Sequence, residues 1–349
     1  MSEKRECGGL SRRAFVAFGA GLILAPTVAR AQELAGRRIS FLIGNEGSGG
    51  YEAYARLFAK HLALHLPEAR ITVEVVPAAD GRLAAKRIAE APAGDLTIGL
   101  FESALLYSEI EKDDMAPITL AGFNWLGKMA VDERLIVAST RSGIRSIQEL
   151  AARKEPAIFP ASTIVSRSAS ECHVLNAMLG LSMKPVPGYD GAQRSLAFLS
   201  GEGQVVVGSY PSQAKMIESK DAVPILRLNS VPKPSVPASV PLLKDLAPAT
   251  FGDLVELIEL SNTLGRWIAA PPSIPKDDLA VLRAAFDAVV ADPAFLSEAK
   301  IQKLEIDALG GAEVQEKLGA LLARKQALRG SLAAALACGR RRANGDRSC

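Results

Sequence analysis

The sequence predicts an α/β protein of two lobes, each a mainly parallel sheet flanked by helices. Three observations carry that prediction. Short apolar runs alternate with amphipathic stretches through the first hundred mature residues. The same alternation resumes after residue 135. A proline-rich return, Asn229 to Pro241, then leads back to one more apolar strand followed by helices.

The first unit fixes the pattern. Arg38 to Leu66 reads as a strand, a glycine-rich loop from Gly44 to Gly50, and an amphipathic helix. Glycines let such a loop turn sharply, and the helix start presents unsatisfied N–H groups and partial positive charge, so the loop suits an anion. It completes no nucleotide or nucleophile-elbow fingerprint. Ile71 to Val76 and Leu96 to Leu100 supply two further strands around a helix from Arg82 to Glu90. The apolar runs NWLGKMAV and RLIVA, split by Asp132-Glu133, read as a strand pair carrying the chain into the second lobe.

There the expected order is helix Ser146 to Ala152, strand Ala157 to Phe159, a small-residue loop Pro160 to Ser168, and a helix to Leu179. A strand near Lys184 to Val186, the turn Gly188-Tyr189-Asp190-Gly191, a helix to Leu199, strand Gln204 to Gly208, helix Pro211 to Glu218 and strand Val223 to Leu228 follow. Four prolines in thirteen residues make Asn229 to Pro241 a crossing segment. Arg266 to Ala269 is a strand, and Pro275 opens a helix that Asp292-Pro293 ends. The division is therefore 1–31 leader, 32–134 first part of lobe 1, 135–228 lobe 2, 229–265 return, 266–330 completion of lobe 1, and 331–349 a disordered tail.

The leader has the order of an export signal: Lys4 and Arg5, then Ser11-Arg12-Arg13-Ala14-Phe15-Val16, an apolar run to Ala25, and Ala29-Arg30-Ala31 before Gln32. That run is too short to anchor in a bilayer, and the paired arginines match twin-arginine export, the competing reading being an ordinary secretory signal with two chance arginines; either route, with cleavage after Ala31, leads to the periplasm. The leader holds five of the 41 basic and two of the 38 acidic residues, so 36 of each remain and the mature chain is neutral. A neutral balance argues against nucleic acid or an anionic membrane. Cys172, Cys338 and Cys349 form no disulfide framework or metal spacing, and a Cys338–Cys349 bridge has no evident reason to form in a mobile tail. His61 and His65 read as one partly exposed helix face, not a metal pair. Cys172 and His173, adjacent on a helix, point apart. No catalytic constellation, metal site or cofactor is indicated.

The order of segments resembles the substrate-binding proteins of tripartite tricarboxylate transporters, the Bug family, over nearly the whole mature chain. The matching pieces are ISFLIGNEGSGGYEAYARLFAKHL, ITVEVVPAADGRLAAKRIAEAPAGDLTIGL, APITLAG, VPGYDGAQRSLAFLSGEGQVVVGSYPS and RWIAAPPSIPKDDLAVLRAAFDAVVADPAF. The resemblance implies a periplasmic binding protein fold of class II type, a monomer that holds a small organic acid between its lobes and delivers it to membrane permease subunits. It places ligand contacts at Gly47, Ser48, Gly49, Gly50 and Tyr51, at Ser162, Thr163, Arg167 and Ser168, and at Tyr189, Asp190, Gly191 and Gln193. Where members of that family have prolines before the first glycines, this chain has Asn45-Glu46, an acidic approach to a carboxylate site. Arg167, Arg194 and Arg266 are candidate carboxylate clamps, the competing reading being ion pairs with Glu46 or Glu102. Ser168 also reads as a helix cap. Two other functions stay open at this point: a hydrolase using Ser48, and a sensory or partner-binding module on the same clamshell.

Overall fold

A computed structural model describes residues 34, 36–44, 50–76, 81–111, 118–164, 166–189, 191–230 and 236–349. The leader and Asn45 to Gly49 lie outside them. Lobe 1 is a six-stranded sheet ordered β11-β4-β10-β3-β1-β2, built from β1 (Arg38–Ile43), β2 (Arg70–Val75), β3 (Leu96–Phe101), β4 (Asn124–Lys128), β10 (Trp267–Ala270) and β11 (Leu309–Gly310). β1 pairs in parallel with both β2 and β3, as strand–helix–strand connections require, whereas β10 runs antiparallel to β3 and β4 because the chain re-enters this lobe from the other one.

Helix α1 (Gly50–His65) buries Tyr54, Leu57, Phe58 and Leu62 on one face of that sheet, beside α10 (Lys276–Ala291) and α11 (Pro293–Ile301). His61 is buried, contrary to the exposed face expected from sequence: it bonds Glu298 at 2.9 Å and its ring meets Phe295 edge-on, while His65 bonds Asp292 at 3.1 Å. Both imidazoles fasten α1 to α11. The opposite sheet face carries α2 (Arg82–Ala89), α3 (Ala104–Glu111) and α12 (Gly311–Leu322), packed over Phe101, Trp125 and Trp267. The two indoles stack with ring centroids 4.4 Å apart.

Lobe 2 centres on β5 (Arg134–Ser139), all six residues of which are buried, flanked antiparallel by β8 (Val205–Ser209) and β9 (Ala222–Arg227). Beside it, β6 (Ala157–Pro160) and β7 (Met183–Val186) pair in parallel. α4 (Ile147–Ala152), α5 (Arg167–Leu179), α6 (Gly191–Ser200) and α7 (Tyr210–Glu218) connect these strands. β4 and β5 thus lie in different sheets and do not pair with each other. The return runs through one-turn α8 (Leu243–Leu246) and α9 (Gly252–Thr263), a helix the sequence reading passed over as part of a linker. The two crossing segments run side by side: Met129 N–H donates to Arg266 C=O (2.8 Å), Arg266 N–H to Ala130 C=O (3.2 Å), and Asp132 N–H to Asn262 C=O (2.8 Å).

The C-terminal segment corrects the sequence reading. In place of a disordered tail there is helix α13 (Lys325–Ala343), which buries Leu328, Leu332, Ala335 and Leu336. It packs on α5 of lobe 2 and on α3 of lobe 1. Arg329 donates to the Ile110 carbonyl, and Lys325 pairs with Glu109 at 3.5 Å. Asn176 donates to Gly339 C=O (3.3 Å), and Arg342 donates to the carbonyls of Leu181 (3.0 Å) and Gly180. Cys338 and Cys349 are bonded to each other, Cα atoms 5.8 Å apart, because the helix folds the end of the chain back beside its own last turn. The apolar period in Leu328, Leu332, Ala335 and Leu336 was present in the sequence but was outweighed by the Arg340-Arg341-Arg342 cluster.

Gly339 is the point of closest approach, since a Cβ there would collide with the His173 carbonyl of α5. Gly339→Ala is expected to push the helices apart and cost about 1–3 kcal/mol, the usual penalty of overpacking. Urea unfolding compared with Gly330→Ala on the same helix, where a Cβ meets nothing within 4 Å, checks it.

Candidate functional site

The two lobes meet at a buried polar cluster on the crossing segments. Asp132, 1% exposed, is its centre. Its Oδ1 accepts from Arg266 Nη1 (2.7 Å) and Ser209 Oγ–H (2.6 Å), and its Oδ2 from Arg167 Nη1 (2.8 Å) and Arg134 Nη1 (3.5 Å). Glu171, fully buried one turn into α5, takes Arg167 Nε at 3.0 Å and Arg134 Nε at 2.7 Å. Arg134 also reaches Ser168 Oγ (2.8 Å), and Arg167 reaches Asn262 and Ser261 of α9. Arg266 lies over the rings of Tyr51 and Tyr54, 4.6 and 5.3 Å from their centroids.

Burial by itself would raise the Asp132 carboxyl, but Arg266, Arg167 and Arg134, with the Ser209 hydroxyl, outweigh it and hold the group well below the usual carboxylate range. Burial raises the Tyr54 phenol to about 12 and Tyr51 further still. Two helix starts meet this carboxylate, since Arg167 opens α5 and Ser209 precedes α7, and the start of α1 lies beside Arg266, where a Cβ added to Gly50 would come within 3.7 Å of Nη2. Their positive ends add to the guanidinium field.

The predicted ligand residues divide. Tyr51, Arg167 and Ser168 belong to the cluster just described, with Tyr51 Oη–H donating to Gly265 C=O at 3.0 Å. Arg167 pairs with Asp132 and Glu171, and Arg266 with Asp132; Glu46, which the sequence offered as a partner, lies outside the described residues. Ser168 does not cap α5: Ser166 does, accepting from Ala169 N–H at 3.3 Å. Ser162, Thr163 and Tyr189 form a second group. Gly188 N–H donates to Ser162 C=O and Tyr189 N–H to Ala161 C=O, so the loop after β6 and the loop after β7 run together. The half-buried Tyr189 has its hydroxyl 3.4 Å from Glu202, Thr163 and Gln193 are exposed, and Gly191 opens α6. Gly47, Ser48, Gly49 and Asp190 lie outside the described residues.

Sequence reasoning missed Asp132, Arg134, Glu171, Ser209 and Asn262. One signal was available. The triplet Asp132-Glu133-Arg134 interrupts two core strands, and charges in a segment bound to be buried need partners.

No family model matches the chain, and no curated protein matches its sequence. Solved structures match it in shape. R. palustris Rpa4515 with adipate has a TM-score of 0.67 and 15% identity over 85% of this chain and 97% of that one. The periplasmic binding protein BugD gives 0.66 and 18% over 85% and 98%, and MatC from Rhodopseudomonas palustris with bound malate 0.64 and 18% over 84% and 99%. The fold is the two-lobed α/β fold of these solved structures, in agreement with the fold that the sequence resemblance implies.

Removing the central carboxylate leaves buried guanidiniums unbalanced. Asp132→Asn is expected to lower stability by about 3–5 kcal/mol at neutral pH, whereas Glu256→Gln, which breaks the exposed pair with Arg324 (2.6 Å), is expected to cost under about 1 kcal/mol. Because the folded pKa of Asp132 lies below its unfolded value, its contribution is complete above about pH 4 and is lost as pH falls toward the folded value. Urea midpoints of both variants against wild type from pH 7 to pH 3 check the magnitude and the sign.

Proposed function

We propose that the protein is an extracytoplasmic solute-binding protein that captures a small organic anion, a carboxylate, between its lobes and delivers it to the membrane subunits of a tripartite tricarboxylate-type transporter. The observation that carries this reading is the gathering of the starts of α1, α5 and α7 around Arg266 and Asp132 at the junction of two lobes joined by paired crossing segments. The leader supports export, and the similar structures solved with adipate and malate support a carboxylate ligand.

The buried arginines refine the reading. Nε and both terminal nitrogens of Arg134 are engaged by Glu171, Asp132, Ser209 and Ser168, and Arg167 is spread over Asp132, Glu171, Ser261 and Asn262. A fork already filled by protein carboxylates is not available for bidentate capture. The ligand carboxylate is therefore met by backbone N–H groups and hydroxyls of Gly47 to Tyr51, Ser162 to Ser166 and Tyr189 to Gln193, with Arg167 acting as the positioning residue for the start of α5. The protein needs no chemical step for this task, and the binding entity is the monomer.

Differential scanning fluorimetry of the mature chain against mono-, di- and tricarboxylates tests it. A cognate acid at about a hundred times its Kd is expected to stabilise by about 2.7 kcal/mol, seen as an upward shift in Tm. Tyr189→Ala is expected to weaken that acid at least tenfold, since the ring leaves the cleft wall. If no carboxylate shifts the Tm while another ligand class does, the carboxylate assignment is wrong.

A further inference from the structure

The three arginines around Asp132 differ in what they keep open. Arg134 and Arg167 give every nitrogen of their guanidinium groups to acceptors of the protein itself. Arg266 gives Nη1 to Asp132 Oδ1 at 2.7 Å, and neither its Nε nor its Nη2 meets an acceptor among the described residues. Nε–H and one N–H of Nη2 share an edge of the planar group, and such an edge pairs with both oxygens of a carboxylate. The side chain that carries this open edge is only 4% exposed. A buried donor without an acceptor is costly, and a ligand oxygen would satisfy it.

The edge faces the start of α1. A Cβ added to Gly50 would come within 3.7 Å of Nη2, so the glycine keeps a space there, and the 16-residue helix turns its unsatisfied N–H groups and positive end toward it. Tyr51 and Tyr54 flank the group, their ring centroids 4.6 and 5.3 Å from its central carbon. Both hydroxyls donate elsewhere, Tyr51 to Gly265 C=O (3.0 Å) and Tyr54 to Glu305 C=O (2.8 Å), so neither phenol fills the edge. Arg266 and Tyr54 also line the groove between the lobes, which gives a ligand its approach.

We propose that Arg266 selects the ligand's carboxylate head group, which docks side-on to Nε–H and Nη2–H and lies against the first N–H groups of α1. The proposal rests on the carboxylate reading above and sharpens it: backbone donors and hydroxyls line the site, and Arg266 adds a full positive charge and a planar match. Asp132, by holding Nη1, orients the free edge toward α1. An amide in place of the carboxylate presents one donor and one acceptor to an edge that offers donors alone.

Isothermal titration of the mature chain with acetate, adipate, malate and citrate, each beside its amide, tests the assignment. At least one acid is expected to bind, with its amide weaker by about tenfold or more. Arg266→Lys keeps a cation for Asp132 but loses the planar edge, and Gly50→Ala keeps Arg266 but sets a methyl group against Nη2, where a carboxylate oxygen sits in the complex. Each variant is expected to weaken that acid by about tenfold or more, with the unliganded Tm of Gly50→Ala unchanged. Because both changes act on one edge, the double variant is expected to bind within about twofold of the weaker single one. An acid that binds wild type but binds Gly50→Ala or Arg266→Lys equally well, an amide as tight as its acid, or losses that multiply in the double variant would each overturn the role of Arg266 and leave carboxylate capture by the loops standing. If none of the four acids binds wild type, the carboxylate reading falls and this assignment with it.

Discussion

The carboxylate of Asp132, buried where the chain passes from one lobe to the other, is the constraint on which the rest of this structure depends. An isolated ion at that depth would cost several kcal/mol in lost hydration. It persists because three guanidiniums and a serine hydroxyl surround it, and because each of those groups comes from a different element: Arg266 from the return segment, Arg134 from β5, Arg167 from α5, and Ser209 from the end of β8. The pairing therefore fixes the relative position of four elements at once. Hydrophobic residues of the same volume could fill the space more stably, but would not specify which helix start faces which strand end.

The second tie between lobes is apolar. One continuous core runs from Leu42, Phe101 and Trp125 in lobe 1 through Leu135 to Leu175 and Phe198 in lobe 2, and on to Leu328 and Leu336 of α13. A helix seated on α5 and α3 together resists pure rotation about the crossing segments, since opening on that side would expose its apolar face at roughly 25 cal/mol per Å². On the opposite side α7 and α11 face each other across a groove. The glycine at 339 matters for the same reason: it lets α13 sit close enough to α5 to weld them.

Local pattern made much of the fold legible. The alternation in β1 to β3, the apolar centre of β5 and the Pro275 helix start depend on neighbours within a few residues, and the sequence places these elements within one or two positions. What the sequence did not reveal depends on distant partners. α9 carries its apolar residues Leu254, Leu257 and Ile258 in helical spacing, but it follows a proline-rich stretch and was absorbed into it. α13 is held by α5, some 160 residues earlier, a pairing no local window contains. At the site, Arg167 and Ser168 were picked out for their chemistry, yet Glu171 and Asp132, which decide what that chemistry is available for, lie one helical turn on and 35 residues back respectively.

That last point governs how the cleft can discriminate. An arginine with an open fork selects carboxylates by charge and planarity together. Here the forks of Arg134 and Arg167 are filled by the protein's own acids and hydroxyls, so neither offers a bidentate face. The charge of the crossing segments is thus spent on holding the start of α5, the end of β8 and the start of β5 against one another.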